Sequence, residues 1–340
     1  MTRIRITSLI VGLLALTALV VAGCGADDDS SASGGGGGGE IALVAYSTPQ
    51  QAYEDDVIPA FQKTPDGEGV EFSTSFGSSG DQRRAVENGL PADYVGFSLE
   101  PDMTKVVEAG LVPEDWNEDA YKGMVTNSVV VLSVRPGNPK DIEGWNDLVR
   151  DDVDIITPNP ATSGGAKWNI MAAYGSQIEQ GKSDAEALDF VKQVLDNTSV
   201  QDDSARDSLQ TFAGGKGDVL IGYENEAIQA KDEDIELEYV VPDETILIEN
   251  PVAATEDGGE TARSFVDFVR TDAAQRLFAD RGYRPVVESV FEANKDKFPQ
   301  PSALFTIQTL GGWPAVEDKF FDEENGAIFE IQRELGNPTE

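Results

Sequence analysis

Short apolar runs alternate with amphipathic stretches along most of this chain. Ile41 to Tyr46 crowds apolar residues with no polar face, as a strand covered on both sides does. Tyr53, Val57 and Phe61 recur at spacing four and predict a helix, with Pro59 threatening its continuity. Val70 to Phe76 predicts a second strand, which runs through Gly77-Ser78-Ser79-Gly80 into a helix from Asp81 to about Asn88, closed by Gly89. Ala92 to Leu99 predicts another strand and Met103 to Ala109 a short helix.

The same rhythm continues after the midpoint. Ser128 to Val134 is β-branched and stops at Pro136-Gly137-Asn138-Pro139. A short strand at Asp154 to Thr157 leads through Asn159 to Gly165 into a helix carrying Trp168, Ile170, Met171 and Tyr174. Ala185 to Leu195 and Arg206 to Phe212 predict helices, and Glu224 to Ala230 a helix start. Asp218 to Tyr223 and Leu237 to Val241 predict strands. Strands and helices in alternation predict an α/β protein with mostly parallel sheets.

The amino terminus obeys a different pattern. Arg3 and Arg5 precede an apolar run from Leu9 to about Ala22, too short for a comfortable membrane span. It ends at Val21-Ala22-Gly23-Cys24, small residues before a cysteine, as in a lipoprotein cleavage box. We therefore read residues 1–23 as a lipoprotein signal peptide and Cys24 as the lipidation site. Residues 24–39, rich in Asp, Ser and Gly, are a tether with nothing to bury. These features place the folded body outside the cytoplasm, in a periplasm or at the cell surface, held to the membrane by lipid.

Composition then narrows the chemistry. The 340 residues carry a formal net charge of -37, a field that repels nucleic acid. Cys24 is the only cysteine and there is no histidine. Histidine general bases, Ser-His-Asp triads and thiolate sites in the body are thereby excluded, and no metal or cofactor is expected. Carboxylate pairs remain open to hydrolysis, but 62 acidic residues place such pairs by chance. A glycan-binding surface is a further open reading, given four tryptophans and eight tyrosines.

Three places share one design, a strand end, a small-residue loop and a helix: Ser78-Ser79-Gly80, Ser163-Gly164-Gly165 and Ser204-Ala205. A helix N-terminus leaves backbone N–H groups unpaired and carries partial positive charge, so each loop is suited to an anion. Each end contributes about 1 kcal/mol, and a micromolar ligand needs roughly 8 kcal/mol net. Several charge-assisted hydrogen bonds must supply the remainder. Serine and glycine before helices are also ordinary caps, and periodicity leaves the two readings level.

A resemblance separates them. Asn159-Pro160-Ala161-Thr162-Ser163-Gly164-Gly165-Ala166-Lys167-Trp168-Asn169 resembles the NPKTSGGARWN segment of the prokaryotic sulfate/thiosulfate-binding proteins. Ser75 to Gly80 is similar to their SHGGSG, Val134 to Lys140 to VRKGNPK, and Gly217 to Ala227 to GDVLIAWENEA. Tyr283-Arg284-Pro285 and Gly311-Gly312-Trp313 match YRP and GGW, in the same order. The likeness spans about Ala45 to Ile331.

The resemblance implies a two-lobed, type II periplasmic-binding-protein-like α/β fold with the ligand in the interlobe cleft. It further implies a non-enzymatic, monomeric solute-binding subunit that captures sulfate, with thiosulfate, phosphate or molybdate as alternatives. That subunit would deliver its anion to an ABC permease and its ATPase. Carried over by position, the implied ligands are Ser79, Ser163, Gly164, Gly165, Ala205 and Tyr223, the last standing where the family has an indole. Ser47, Ser78, Gly80, Asp81, Arg206 and Glu224 are expected around them. Asp81 replaces a family lysine and Ser47 a family aspartate; an acceptor in the site would favour an anion still carrying a proton. The expected division is 40–127 plus 250–340 for the first lobe and 128–249 for the second. Crossings are expected near Asn127 to Val134 and Val241 to Ala254.

Overall fold

The computed structural model describes residues 39–339, so the leader at 1–23, Cys24 and nearly all of the tether lie outside the described residues. Eleven strands are present among them: β1 (Glu40–Tyr46), β2 (Glu71–Gly77), β3 (Tyr94–Gly96), β4 (Met124–Val134), β5 (Ile155–Pro158), β6 (Thr198–Asp202), β7 (Val219–Tyr223), β8 (Glu238–Val240), β9 (Glu244–Ala254), β10 (Arg284–Pro285) and β11 (Ala303–Phe305). They follow the order β2-β1-β3-β9-β4-β7-β5-β6, with β8, β10 and β11 on side branches. Pairing is parallel within β1–β3 and within β5–β7, where helices form the crossovers. It is antiparallel wherever β4 or β9 joins β3, β7 or each other. The sheets are thus mixed, because two long strands return through the middle of an otherwise parallel α/β pattern.

Local sequence explains the departures from expectation. Pro59 does not break its helix: residues 50–61 stay helical, with a π-helical turn at Ala52–Val57 just ahead of the proline. The wider turn accommodates a residue that has no N–H for the normal ladder. The strand expected over Ala92 to Leu99 shrinks to three residues, because the chain leaves the sheet at Phe97 and enters the helix Glu100–Glu108.

Packing assigns the carboxyl-terminal segment to one particular core. Phe305, Ile307, Trp313, Phe320 and Ile328 join the core around Trp168, Met171 and Phe190, not the core of Leu43, Tyr53 and Phe265. Trp313 meets Trp168 edge to face at 4.7 Å. The helix Gly164–Glu179 is buried along most of its length, so it needs apolar cover on several sides. The carboxyl-terminal segment supplies part of that cover.

Glu224, directly after Tyr223, is held from behind. It is buried, accepts from Arg284 Nε at 2.7 Å and Nη2 at 3.1 Å, and does not face the cleft. Burial raises its pKa, with Arg284 pulling it back. Arg284 sits on β10 against Asn127 of β4, so the pair ties the helix Glu224–Asp232 to a crossing strand. Arg284→Leu should strand a buried carboxylate and lower stability by about 3–5 kcal/mol in guanidinium unfolding. That loss should shrink as pH falls, since protonation relieves the unpaired Glu224.

Candidate functional site

The ends of β1, β2 and β7 and the starts of three helices meet at one small cavity between the lobes. Its lining includes Ser79, Ser163, Gly165, Ala205 and Tyr223, together with Ser47 and Ser78. Gly164, Gly80, Asp81, Arg206 and Glu224 do not line it. The space it encloses is only about 10 Å³, far below the roughly 300–1,000 Å³ of pockets for larger organic ligands, and suits a compact anion better than a sugar. No Asp, Glu, Lys or Arg is present among the described residues that line it.

Each helix start is built by its own capping chemistry. On the first lobe β2 ends at Gly77, and Ser78 takes the N-cap position of the helix Ser79–Glu87 without a side-chain bond to its backbone. The Ser78 hydroxyl donates to Asp81, which also pairs with Arg84 and is half exposed. Asp81 therefore faces solvent as a first-turn acid, where the helix end favours a carboxylate. The Ser79 hydroxyl donates to Asp102 at 2.6 Å and accepts from the Ser98 N–H at 3.0 Å. Its single hydrogen is committed, so the donor that Ser79 can offer the cavity is its backbone N–H, which has no intrahelical acceptor.

On the second lobe Asn159 shapes the loop after β5. Its carbonyl accepts from Ser163 N–H at 2.9 Å and its side chain from Ala161 N–H at 2.9 Å. Ser163 caps the helix Gly164–Glu179 by accepting from Ala166 N–H, which leaves its hydroxyl hydrogen free to donate. Ser204 caps the helix Ala205–Ala213 and both donates to and accepts from Asp207. Arg206, one residue into that helix, donates across the cleft to the Thr48 carbonyl at 3.2 Å.

Ser98 is the residue that sequence reasoning missed. Its hydroxyl lies 2.7 Å from the Tyr223 hydroxyl, and its carbonyl accepts from Trp168 Nε1 at 2.8 Å and Asn250 Nδ2 at 3.0 Å. It stands between a strand end and a helix, like the three loops, but the overlong strand expected through Leu99 concealed this. Tyr223 is fully buried and burial raises its pKa, so it stays protonated. Two hydroxyls share one hydrogen bond there, leaving one hydrogen for a ligand.

The lobes also touch directly. Gly80 N–H donates to the Thr162 carbonyl at 3.0 Å, and a Cβ on Gly80 would lie 2.8 Å from that oxygen. A Cβ on Gly164 would lie 1.8 Å from Leu99 Cδ2 and 2.8 Å from Ser98 Oγ. The glycines are therefore required by the closeness of the lobes as much as by a ligand. Gly164→Ala should keep the halves from meeting, visible as a larger radius of gyration in small-angle scattering with anion present; an unchanged radius would refute this.

Comparison with known proteins is consistent with this geometry. Residues 41–284 match the model of the bacterial extracellular solute-binding protein family. The sulfate-binding protein of Synechococcus elongatus is 39% identical, over 90% of this chain and 91% of its own length. The thiosulfate-binding protein of Escherichia coli is 35% identical, over 75% and 79%. Among solved structures, the sulfate-binding protein SubI from Mycobacterium tuberculosis H37Rv superposes with a TM-score of 0.81 at 42% identity, covering 84% of this chain and all of that one.

Proposed function

From the premise that this chain belongs to the bacterial extracellular solute-binding proteins, in their sulfate- and thiosulfate-binding branch, we propose that it captures sulfate between its lobes for an ABC importer. The observation that carries the reading is the cavity lining: helix N-termini and hydroxyls from both lobes, with no charged side chain. Such a site suits an anion that carries no proton at neutral pH and needs only donors. In this reading Ser79, Gly165 and Ala205 give backbone N–H groups, Ser163 its hydroxyl, and the Ser98–Tyr223 pair its free hydrogen, while Gly164, off the cavity lining, lets the lobes approach. Ser47 and Ser78 complete the wall; Gly80 and Arg206 hold the lobes together.

The remaining parts of the proposal follow from this role. The first lobe comprises about 40–126 and 255–300; the second comprises about 135–243, with 303–335 packed on it, and β4 and β9 cross between them. Donors come from both lobes, so anion binding is closure, and neither half-site suffices alone. The chain works as a monomer, catalyses nothing, and is anchored through lipidated Cys24 outside the cytoplasm. A permease and its ATPase then read the closed form.

Calorimetry of the protein against sulfate, thiosulfate, molybdate and phosphate tests the assignment. Sulfate should bind at micromolar Kd or tighter, roughly 8 kcal/mol or more, thiosulfate next, and phosphate weakest. A preference for phosphate or molybdate would replace the ligand while keeping the role. The double variant Ser98→Ala, Tyr223→Phe should weaken sulfate by about 1.5–3 kcal/mol, and either single change by less, since one hydroxyl still offers a hydrogen. Cys24→Ala should move the protein from the membrane to the soluble fraction, because its acidic body has no other hold on lipid; retention would exclude the anchor.

A further inference from the structure

Behind the anion cavity three buried polar atoms have no hydrogen-bond partner among the described residues: Tyr46 Oη, Tyr283 Oη and Glu226 Oε1. Glu226 is 4% exposed. Its surroundings can be named element by element. β1 presents Tyr46 and the turn after it Thr48; the helix Ala205–Ala213 presents Arg206; β7 presents Tyr223; the residue before β10 is Tyr283. On its own helix Glu224 is neutralised by Arg284. Tyr46, Thr48 and Tyr223 also line the anion cavity, so one layer of side chains separates Glu226 from the ligand. Arg206 is the cation acting on it and is shared with the Thr48 carbonyl.

A dianion arriving one layer away makes a buried carboxylate with an unpaired oxygen harder to keep ionised. Building on the anion-binding role above, we propose that Glu226 takes up a proton when the cleft closes on its dianion, so that capture is coupled to neutralisation of this carboxyl. Burial, offset in part by Arg206 and Thr48, already pushes its pKa up to about 7. The anion raises it further. Well below that pH Glu226 is neutral beforehand, binding is at its ceiling and no proton moves. Above it, affinity falls by up to about tenfold per pH unit until the bound-state value is passed. Sulfate has no proton to exchange near neutrality and the chain has no histidine, so such uptake has few other sources.

The experiment is calorimetry of the full chain in detergent with sodium sulfate, between about pH 6 and about pH 8, in buffers of different ionisation enthalpy. Heats should differ between buffers by a fraction of a proton that grows as pH rises, with affinity falling by up to about tenfold per unit above neutrality. Glu226→Gln should bind with buffer-independent heat and flat pH dependence. Sulfate binding with equal heats in every buffer overturns the coupling and leaves the anion-binding role standing. No sulfate binding at any pH overturns that role itself. Uptake that persists in Glu226→Gln assigns the proton elsewhere and also overturns the coupling. Should the variant fail to fold, the buffer dependence of the unaltered protein still decides.

Discussion

The antiparallel pairing of β4 with β9 is the constraint on which the rest of the molecule depends. Each strand is eleven residues long, about twice the ordinary length, and together they join β3 on one side to β7 on the other. Their shared register, Ser128 against Ile248 and Asn127 against Glu249, sets where one lobe ends and the other begins. It also explains why the parallel strands on either side present their carboxyl ends, and the helices that follow, toward a common space. Ligands of open α/β sheets gather at such ends. Asn250 carries the crossing into the site: it accepts from Thr126 on β4 and donates to the Ser98 carbonyl.

A second consequence concerns charge. The molecule is strongly anionic, yet its cleft is suited to an anion, and the conflict is resolved at short range. Acids near the site are turned to other tasks: Asp81 and Asp207 accept from the serine hydroxyls at their helix starts, Asp102 holds the Ser79 hydroxyl, and Glu224 faces Arg284. What remains at the cavity wall is backbone dipole and hydroxyl. The helix starts act over a few ångströms, while the net charge is screened over about 10 Å at moderate salt.

Much of this was legible in the sequence. Strand-to-helix junctions at Ser79, Ser163 and Ala205 were visible as small residues after apolar runs, because close approach and capping both demand them. That the junctions converge could not be read from spacing; a resemblance carried by the segment from Asn159 to Asn169 was needed. Ser98 escaped because its strand is only three residues long and its flanking sequence reads as continuous strand. The final segment escaped for a different reason: which lobe an amphipathic helix covers is decided by vacant apolar surface, here along the helix of Trp168, and no local pattern reports it. Pro59 shows the opposite case, a correct local warning that the backbone met by widening one turn.

An uncharged cavity wall also shapes how cargo leaves. An ion pair at the wall would have to be pulled apart, and a bare side-chain charge rehydrated, before the carrier could unload. Neutral donors need only exchange one acceptor for another as water enters the parting lobes, and the Gly80–Thr162 contact is the same kind of bond. Unloading is then governed by whatever separates the lobes, and a carrier so built can be emptied by mechanical opening alone.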